Sequence, residues 1–529
     1  MTVDAGTKPS SNKFGATLAV SIMLAMSLSP MLIIMTEGGA LNKDSEGMMT
    51  SGDEPWSDGD QPWPQPGRTP DRASVPPHHV HSTDSATGGL LSIVEPAINW
   101  EFGSDQLGTD SLGTPIADFS SSLTTDPSSE ERCGGDSLYT ILVQTDSASG
   151  ESYMKIIEGE DSDLAWEVSL GTTEMVKSSP VVVDLDNDGR PEVIVAYDQS
   201  GTLHVDAWSP RLFCSVTGWD PGAGSSQQPI WTWEEDDLMI SGDPTSTLNG
   251  LGGHRPTTQP LLADLDLDGD AELVLATINE NSGDPVVVAL SLPSSGTPAT
   301  LWEKTLDKGS HPSDPAFAQT DENTGYVVLT TTEHTNGGMW VWRLDSTSGD
   351  SGWDGLSLSN VDGDSDVPHI RLPGPVVANL DADETPEIVV TIPTDADGSN
   401  TIDGAEFRGL EISTGSEIWS FQAENGYADA PPIVIDTDDD GTVDRVCWVT
   451  WWQTATARHG VTGCHDVDGS SPEEAWHRDL EQSSGAPNDE IAVSPPIWMD
   501  IDGSGEPELL VAYGRSLWAF DGAEGTGSA

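Results

Sequence analysis

From about residue 91 onward the apolar positions fall in short runs broken by acidic or glycine-rich turns, and no run repeats at helical spacing. One pattern recurs: SPVVVDLDNDGRPEVIVAY (179–197), QPLLADLDLDGDAELVLAT (259–277), GPVVANLDADETPEIVVTI (374–392), PPIVIDTDDDGTVDRVCWV (431–449) and PPIWMDIDGSGEPELLVAY (495–513). Each copy has a proline, a short apolar strand, an acidic turn and a second apolar strand. Weaker copies stand at 114–120 and 314–330. Prolines 115, 180, 260, 315, 375, 431 and 495 are then spaced by 65, 80, 55, 60, 56 and 64 residues, room in each unit for four strands and their loops.

The rest of each unit repeats too. A third strand follows, such as TLHVDAW (202–208), RGLEIS (408–413) or SLWAFDG (516–522), and then a short strand bearing tryptophan: Trp166, Trp231, Trp302, Trp419 or Trp476. Trp353 is the candidate in the fourth unit. The last unit has no such strand, whereas INWEFG (98–103), around Trp100, precedes the first. The expected fold is all-β: a seven-bladed β-propeller of four-stranded blades over residues 91–525, closed by the N-terminal strand. Radial repetition of this kind protects sheet edges. The tryptophans are expected to pack between blades.

Ahead of the repeats, residues 14–35 form the only long apolar run, behind Lys8 and Lys13. This length and flanking charge predict a transmembrane signal-anchor or a signal peptide, with 1–13 in the cytoplasm and the bulk of the chain outside it. Gly38 and Ala40 leave cleavage, and hence secretion, as the alternative. Residues 36–90, rich in Gly, Ser, Asp and Pro, predict a disordered acidic, Pro-rich linker. His78, His79 and His81 within it have no carboxylate partners and read as bystanders.

Charge narrows the partners. There are 89 acidic against 20 basic residues, a net charge of −69, which excludes a nucleic-acid backbone as partner. An acidic, salt-adapted surface accounts for most of this charge, and cation sites for the remainder. The four cysteines suit an oxidising compartment. RVCWVTWW and GVTGCHDV read as antiparallel strands of a hairpin centred near Thr454–Thr456, which sets Cys447 opposite Cys464 and predicts a disulfide. Cys133 with Cys214 is the second expected pair.

The acidic turns carry the candidate chemistry. Oxygen side chains recur at positions 1, 3, 5 and 9: Asp184, Asp186, Asp188 and Glu192; Asp264, Asp266, Asp268 and Glu272; Asn379, Asp381, Asp383 and Glu387; Asp436, Asp438, Asp440 and Asp444; Asp500, Asp502, Ser504 and Glu508. Glycine fills position 6 in four copies (Gly189, Gly269, Gly441, Gly505). Calcium takes six to eight oxygens from such flexible loops. Each pair of carboxylates drawn within ~4 Å repels by about 1 kcal/mol in water, so a cation is needed to hold the arrangement together. These are not EF-hands, because position 12 is Val195, Leu275, Val390, Cys447 or Val511 where that motif needs a bidentate Glu. Asp395, Asp397, Ser399 and Asp403 repeat the spacing in a loop as a weaker candidate.

These repeats resemble the FG-GAP and VCBS repeats of integrin-α-like propellers, whose hairpin turns carry a nine-residue DxDxDGxxE/D calcium loop. The resemblance covers about residues 96–525 and implies the propeller fold and calcium binding. The FG-GAP tetrapeptide itself is absent, so integrin-type adhesion is not implied. The strand-plus-tryptophan pattern is also similar to quinoprotein-like propeller repeats.

Functionally, anchor, linker and metal-stiffened blades point to a surface recognition or adhesion module that binds a protein or glycan outside the cell and is not an enzyme. The alternatives are an exported propeller enzyme, either a quinoprotein-like dehydrogenase or a calcium-dependent polysaccharide lyase, and a structural cell-envelope protein. No adjacent cysteines support the first enzyme, and His254–Arg255 and His369–Arg371 are isolated candidates for a lyase base. The long segments 234–259, 353–374 and 393–404 are expected to emerge opposite the acidic turns and to carry recognition.

Overall fold

The computed structural model describes most of residues 119–528. Outside the described residues lie 1–118, 126–138, 146–150, 159–163, 174–177, 187–191, 210–227, 241–257, 333–337, 361–372, 395–403, 454–457, 468–470, 481–494, 500–506 and a few single or paired positions. The expected anchor, the linker, the Trp100 strand and most of the three long segments therefore lie outside them. Among the described residues, no helix is long and apolar enough to cross a membrane.

Among the described residues, seven antiparallel sheets follow one another along the chain, and their main strands pair in chain order. The first holds β1 (Phe119–Thr125), β2 (Tyr139–Thr145), β3 (Glu151–Glu158) and β4 (Leu164–Thr172). The second holds β5 (Val181–Val183), β6 (Glu192–Gln199), β7 (Thr202–Trp208) and β8 (Trp231–Asp236). In the third are β9 (Leu238–Met239), β10 (Leu261–Ala263), β11 (Glu272–Asn279), β12 (Pro285–Ser291) and β13 (Thr300–Thr305). The fourth has β14 (His311–Pro312), β15 (Ala316–Asp321), β16 (Thr324–Thr332), β17 (Gly338–Asp345) and β18 (Ser351–Asn360). The fifth has β19 (Val376–Ala378), β20 (Glu387–Thr394), β21 (Gly404–Leu410) and β22 (Glu417–Gln422). The sixth comprises β23 (Ile433–Ile435), β24 (Arg445–Gln453), β25 (Arg458–Asp466) and β26 (Glu473–Leu480), and the seventh β27 (Ile497–Met499), β28 (Glu508–Tyr513), β29 (Ser516–Asp521) and β30 (Gly527–Ser528).

The hydrophobic pattern has a direct packing cause. Along β6, Val193 and Val195 face the first sheet while Ile194 and Ala196 face the third, so every residue of the run is buried. β11 and β20 are buried in the same way. Among the outer strands, β13 buries only Trp302, and β22 only Trp419 and Phe421. Six apolar clusters result, each joining one sheet to the next: first to second, second to third, and so on to sixth and seventh. Each fully buried aliphatic side chain stabilises this stack by about 1.5–3 kcal/mol. Sheets stacked face to face in chain order are the β-propeller arrangement.

The tryptophans of the outer strands tie neighbouring sheets. Trp231 Nε1 donates to Pro293 O at 2.9 Å, Trp302 Nε1 to Ser346 O at 2.7 Å and Trp476 Nε1 to Gly522 O at 3.1 Å, each reaching the third-to-fourth-strand turn of the next sheet. Those turns must come close: Gly349 has φ +69°, and a Cβ there would lie 2.7 Å from Trp302. The fourth sheet solves the problem differently. Trp353 lies on β18 as expected, but the donor to the fifth sheet is Arg343, held between the rings of Tyr326 (4.6 Å) and Trp353 (5.1 Å) and bonded to Ile412 O (2.6 Å) and Ser413 O (3.1 Å). Trp302→Phe keeps most of the ring and leaves Ser346 O without this donor. The expected cost is about 1–3 kcal/mol in denaturant unfolding. A change below about 0.5 kcal/mol, the size of an ordinary surface substitution, would show that the indole bond does not tie the sheets.

Three features depart from the sequence expectation. β9 and β14 were not foreseen. The inner strand β10 pairs only with Val274, Leu273 and Glu272, and β9 covers the remaining edge of β11 at Ile278 and Asn279. β14 does the same for β16 at Thr331 and Thr332. An uncovered edge would leave backbone groups unpaired, which the short strands prevent. Third, the seventh sheet carries β30, a fourth strand the sequence pattern does not show, which pairs with Ala519 and Phe520 of β29.

A disulfide joins Cys447 on β24 to Cys464 on β25, directly opposite each other with 4.1 Å between Cα atoms. Both are fully buried in the cluster between the sixth and seventh sheets. Closing this loop contributes about 3 kcal/mol in the chain-entropy account. Cys133 and Cys214 lie outside the described residues.

Candidate metal centres

Each acidic turn joins a three-residue inner strand to the long buried second strand. In the third sheet the loop is described throughout. Asp264 accepts from the backbone N–H groups of Asp268 (3.0 Å) and Gly269 (2.9 Å), which curls the loop around its first carboxylate. Gly269, at φ +99°, meets the left-handed requirement of that curl, and Leu267 adopts φ +60° beside it. Asp264, Asp266 and Asp268 then offer oxygens within 4.8 Å of one another.

The position-9 carboxylate is seated by one rule in four loops. Glu192 Oε2 accepts from Leu185 N (2.9 Å), Glu272 Oε2 from Leu265 N (2.7 Å), Glu387 Oε2 from Leu380 N (2.7 Å) and Asp444 Oδ2 from Thr437 N (2.8 Å). One oxygen of each is thus tied to the backbone at position 2. Asp184, Asp186 and Glu192 converge within 4.8 Å, as do Asp381, Asp383 and Glu387. In the sixth sheet, Asp436 accepts from Gly441 N at 2.7 Å, while Asp438 and Asp440 lie outside the described residues. Asp188, Asp500, Asp502 and Ser504 also lie outside them, as do Asp395, Asp397, Ser399 and Asp403; Glu508 is described at the start of β28.

Electrostatics set these turns apart from ordinary polar hairpin tips. Burial, with the neighbouring aspartates adding to it, pushes Glu192 up to about 7 and Glu272 and Glu387 up to about 8. Burial also raises Asp264 and Asp266. Without a cation, near neutral pH, the three glutamates therefore hold their protons in part. A divalent cation among the oxygens reverses this and makes the carboxylate the favoured form. Glu387 is wholly buried and its Oε1 has no hydrogen-bond partner; Asn379 Oδ1 is likewise buried and unpartnered. An all-oxygen donor set with unsatisfied buried oxygens fits calcium.

Two contributors were missed by sequence spacing. Glu411, in the turn after β21, is raised by burial and then by Asp381 and Asp383, so it faces the fifth loop. Ser209, just after β7, hydrogen-bonds Glu192. Each is the first residue past a third strand, which runs back to the end of the sheet where the acidic turn sits. That position is a readable signal once the strand order is known.

No protein-family model matches the chain, and no curated protein matches it either. Solved structures do. Rhamnogalacturonan lyase YesW is 13% identical over 76% of this chain and 71% of that one, with a TM-score of 0.39. The rhamnogalacturonan lyase PL11 of Bacillus licheniformis is 14% identical over 77% and 70%, with a TM-score of 0.37. The Dos1 propeller is 10% identical over 77% and 86%, with a TM-score of 0.39. The expectation that the chain is not an enzyme is corrected here. Polysaccharide lyases are among the structures it is similar to, and the scarcity of a catalytic signature in the sequence does not exclude catalysis.

Proposed function

We propose that this chain is an exported, calcium-binding β-propeller of the FG-GAP/VCBS type, with seven blades closed into a ring, that engages a polymeric carbohydrate and acts as a calcium-dependent polysaccharide lyase. The observation that carries the metal part is the convergence of carboxylates at Asp184–Asp186–Glu192, Asp264–Asp266–Asp268 and Asp381–Asp383–Glu387, each turn having a buried glutamate. Export is supported by the apolar run at 14–35 and by the buried Cys447–Cys464 disulfide. The ligand class comes from the names of the lyases above; their likeness to this chain is one of architecture. Charge bears on mechanism: a chain of −69 repels an acidic polymer, so calcium rather than lysine or arginine has to supply the attraction.

The test is the full chain against rhamnogalacturonan, galactan and an uncharged β-glucan, with calcium and with chelator. Retention on the polymer and the ultraviolet absorbance of an unsaturated uronide are both read. Calcium-dependent retention of the acidic polymer with release of unsaturated product is expected. Retention without product removes the lyase and leaves a binding module. Neither signal from the calcium-loaded protein overturns the carbohydrate reading.

A further inference from the structure

The third acidic turn is braced by a side chain from the next sheet. Ser346, the first residue past β17, is buried and donates its Oγ–H to Leu265 O at 2.6 Å. Leu265 holds position 2 of the third loop, and its own N–H is the donor that Glu272 Oε2 accepts, at 2.7 Å. The peptides on both sides of Leu265 are therefore fixed, one by the glutamate of the same loop and one by the fourth sheet. Those peptides join Leu265 to Asp264 and to Asp266, two of the three aspartates whose oxygens converge. Ser346 is held in its turn: its carbonyl accepts the Trp302 indole N–H at 2.7 Å and its own N–H donates to Gly325 O at 3.0 Å. Leu265 and Leu267, at positions 2 and 4, both pack into the cluster between the third and fourth sheets. The apolar positions of the loop are thus anchored on the fourth sheet.

The fourth sheet can lend this hydroxyl because its own first turn is built differently. Ser209 and Glu411, at the equivalent place in the second and fifth sheets, turn to the acidic loops of their own sheets. In the fourth sheet β15 and β16 stay paired as far as Asp321 and Thr324, and Val327 stands where the other loops carry the position-9 carboxylate. From this geometry we infer that Ser346 is a positioning residue for the third metal centre, acting from the neighbouring sheet through the Leu265 carbonyl. The inference rests on the calcium reading given above. A cation needs Asp264 and Asp266 in one fixed geometry, and a group that orients ligands beforehand lowers the ordering cost of binding. By linkage, an ion in the third loop tightens the hold of Ser346 on the third sheet.

The experiment titrates calcium into the full chain, counts bound ions by elemental analysis and follows hydrogen-exchange protection of the peptides spanning 261–272 and 344–350. In the wild type both peptides should gain protection at one calcium midpoint, and Asp264→Asn with Asp266→Asn should abolish both gains. Ser346→Ala should raise the midpoint of 261–272 about tenfold, the lower end for groups that orient metal ligands. Ser313→Ala is the control for general loosening: it removes an equally buried hydroxyl at the other end of the fourth sheet, bonded to Asp314 O and Thr330 N at 3.0 Å each. It should lower the melting temperature and leave the midpoint of 261–272 where it was. A midpoint unmoved by Ser346→Ala, or moved as far by Ser313→Ala, overturns the positioning role and leaves calcium binding intact. A 344–350 segment indifferent to calcium while 261–272 responds overturns it as well. No bound ion and no calcium-dependent protection in the wild type overturn both the positioning role and the calcium reading.

Discussion

Chelation of the full chain lowers its melting temperature by about 10 °C or more. The size follows from mass action: a site held at 100 times its Kd stabilises the native state by about 2.7 kcal/mol, so three sites contribute roughly 8 kcal/mol. In a domain this large each kcal/mol moves the melt by about 1–2 °C, somewhat less than in domains of ~150–250 residues. The three groups are those at Asp184, Asp264 and Asp381, where carboxylates converge. Substituting Asp186→Ala together with Asp266→Ala should remove bound calcium and part of the chelator-sensitive melt. The same melting temperature with and without chelator, and no calcium by elemental analysis, would remove the metal from the protein.

Acid destabilises the fold by a second route that needs no metal. His465 lies on β25 in the core, its ring stacked on Phe421 at 3.9 Å, and its Nδ1 accepts the Trp448 indole N–H at 3.2 Å. That bond requires an unprotonated Nδ1, which places the ring proton on Nε2. Burial lowers its pKa from the ordinary 6.5 to about 4, against a weaker upward pull from Glu474 and Asp466. The folded pKa lies below the unfolded one, so the unfolded chain binds the extra proton first. The contribution is complete above pH 6.5 and is lost as pH falls toward 4, about 3 kcal/mol in all. His465→Gln keeps an acceptor for Trp448 and does not titrate. Its stability should fall less steeply than the wild type's across this window, with both read as unfolding midpoints in chelator. Parallel slopes would show that His465 does not report the loss.

The fold was legible because its repeat is written in the inner and second strands. Val193, Ile194, Val195 and Ala196 cannot all be buried by one neighbour, and a strand that needs two covering faces points to stacked sheets. The tryptophans were legible for a related reason: a large ring recurring on otherwise polar strands has to pack against the next unit. What stayed hidden depends on which side chain arrives from elsewhere. Nothing in the spacing near residue 343 foretells an arginine doing the work of a tryptophan. β9 and β14 are too short to leave a pattern. Likewise the acidic turns are found from positions 1, 3, 5 and 9, whereas Glu411 and Ser209 reach the loops through sheet topology.

The strict chain order of the sheets has a consequence for synthesis. Among the described residues, every strand but β9 and β14 finds its partners within its own unit, so each sheet can form soon after its 55–80 residues have left the ribosome. Its leading face, however, stays bare until the following unit arrives: Ile194 and Ala196 wait for Leu273 and Leu275, and Val449 and Trp451 for Leu509 and Val511. A half-made chain thus displays one sticky apolar wall at its growing end. The acidic excess carried by the turns and outer strands keeps such walls on neighbouring nascent chains apart, so the charge gathered in the finished acidic turns also guards the molecule while it is being built.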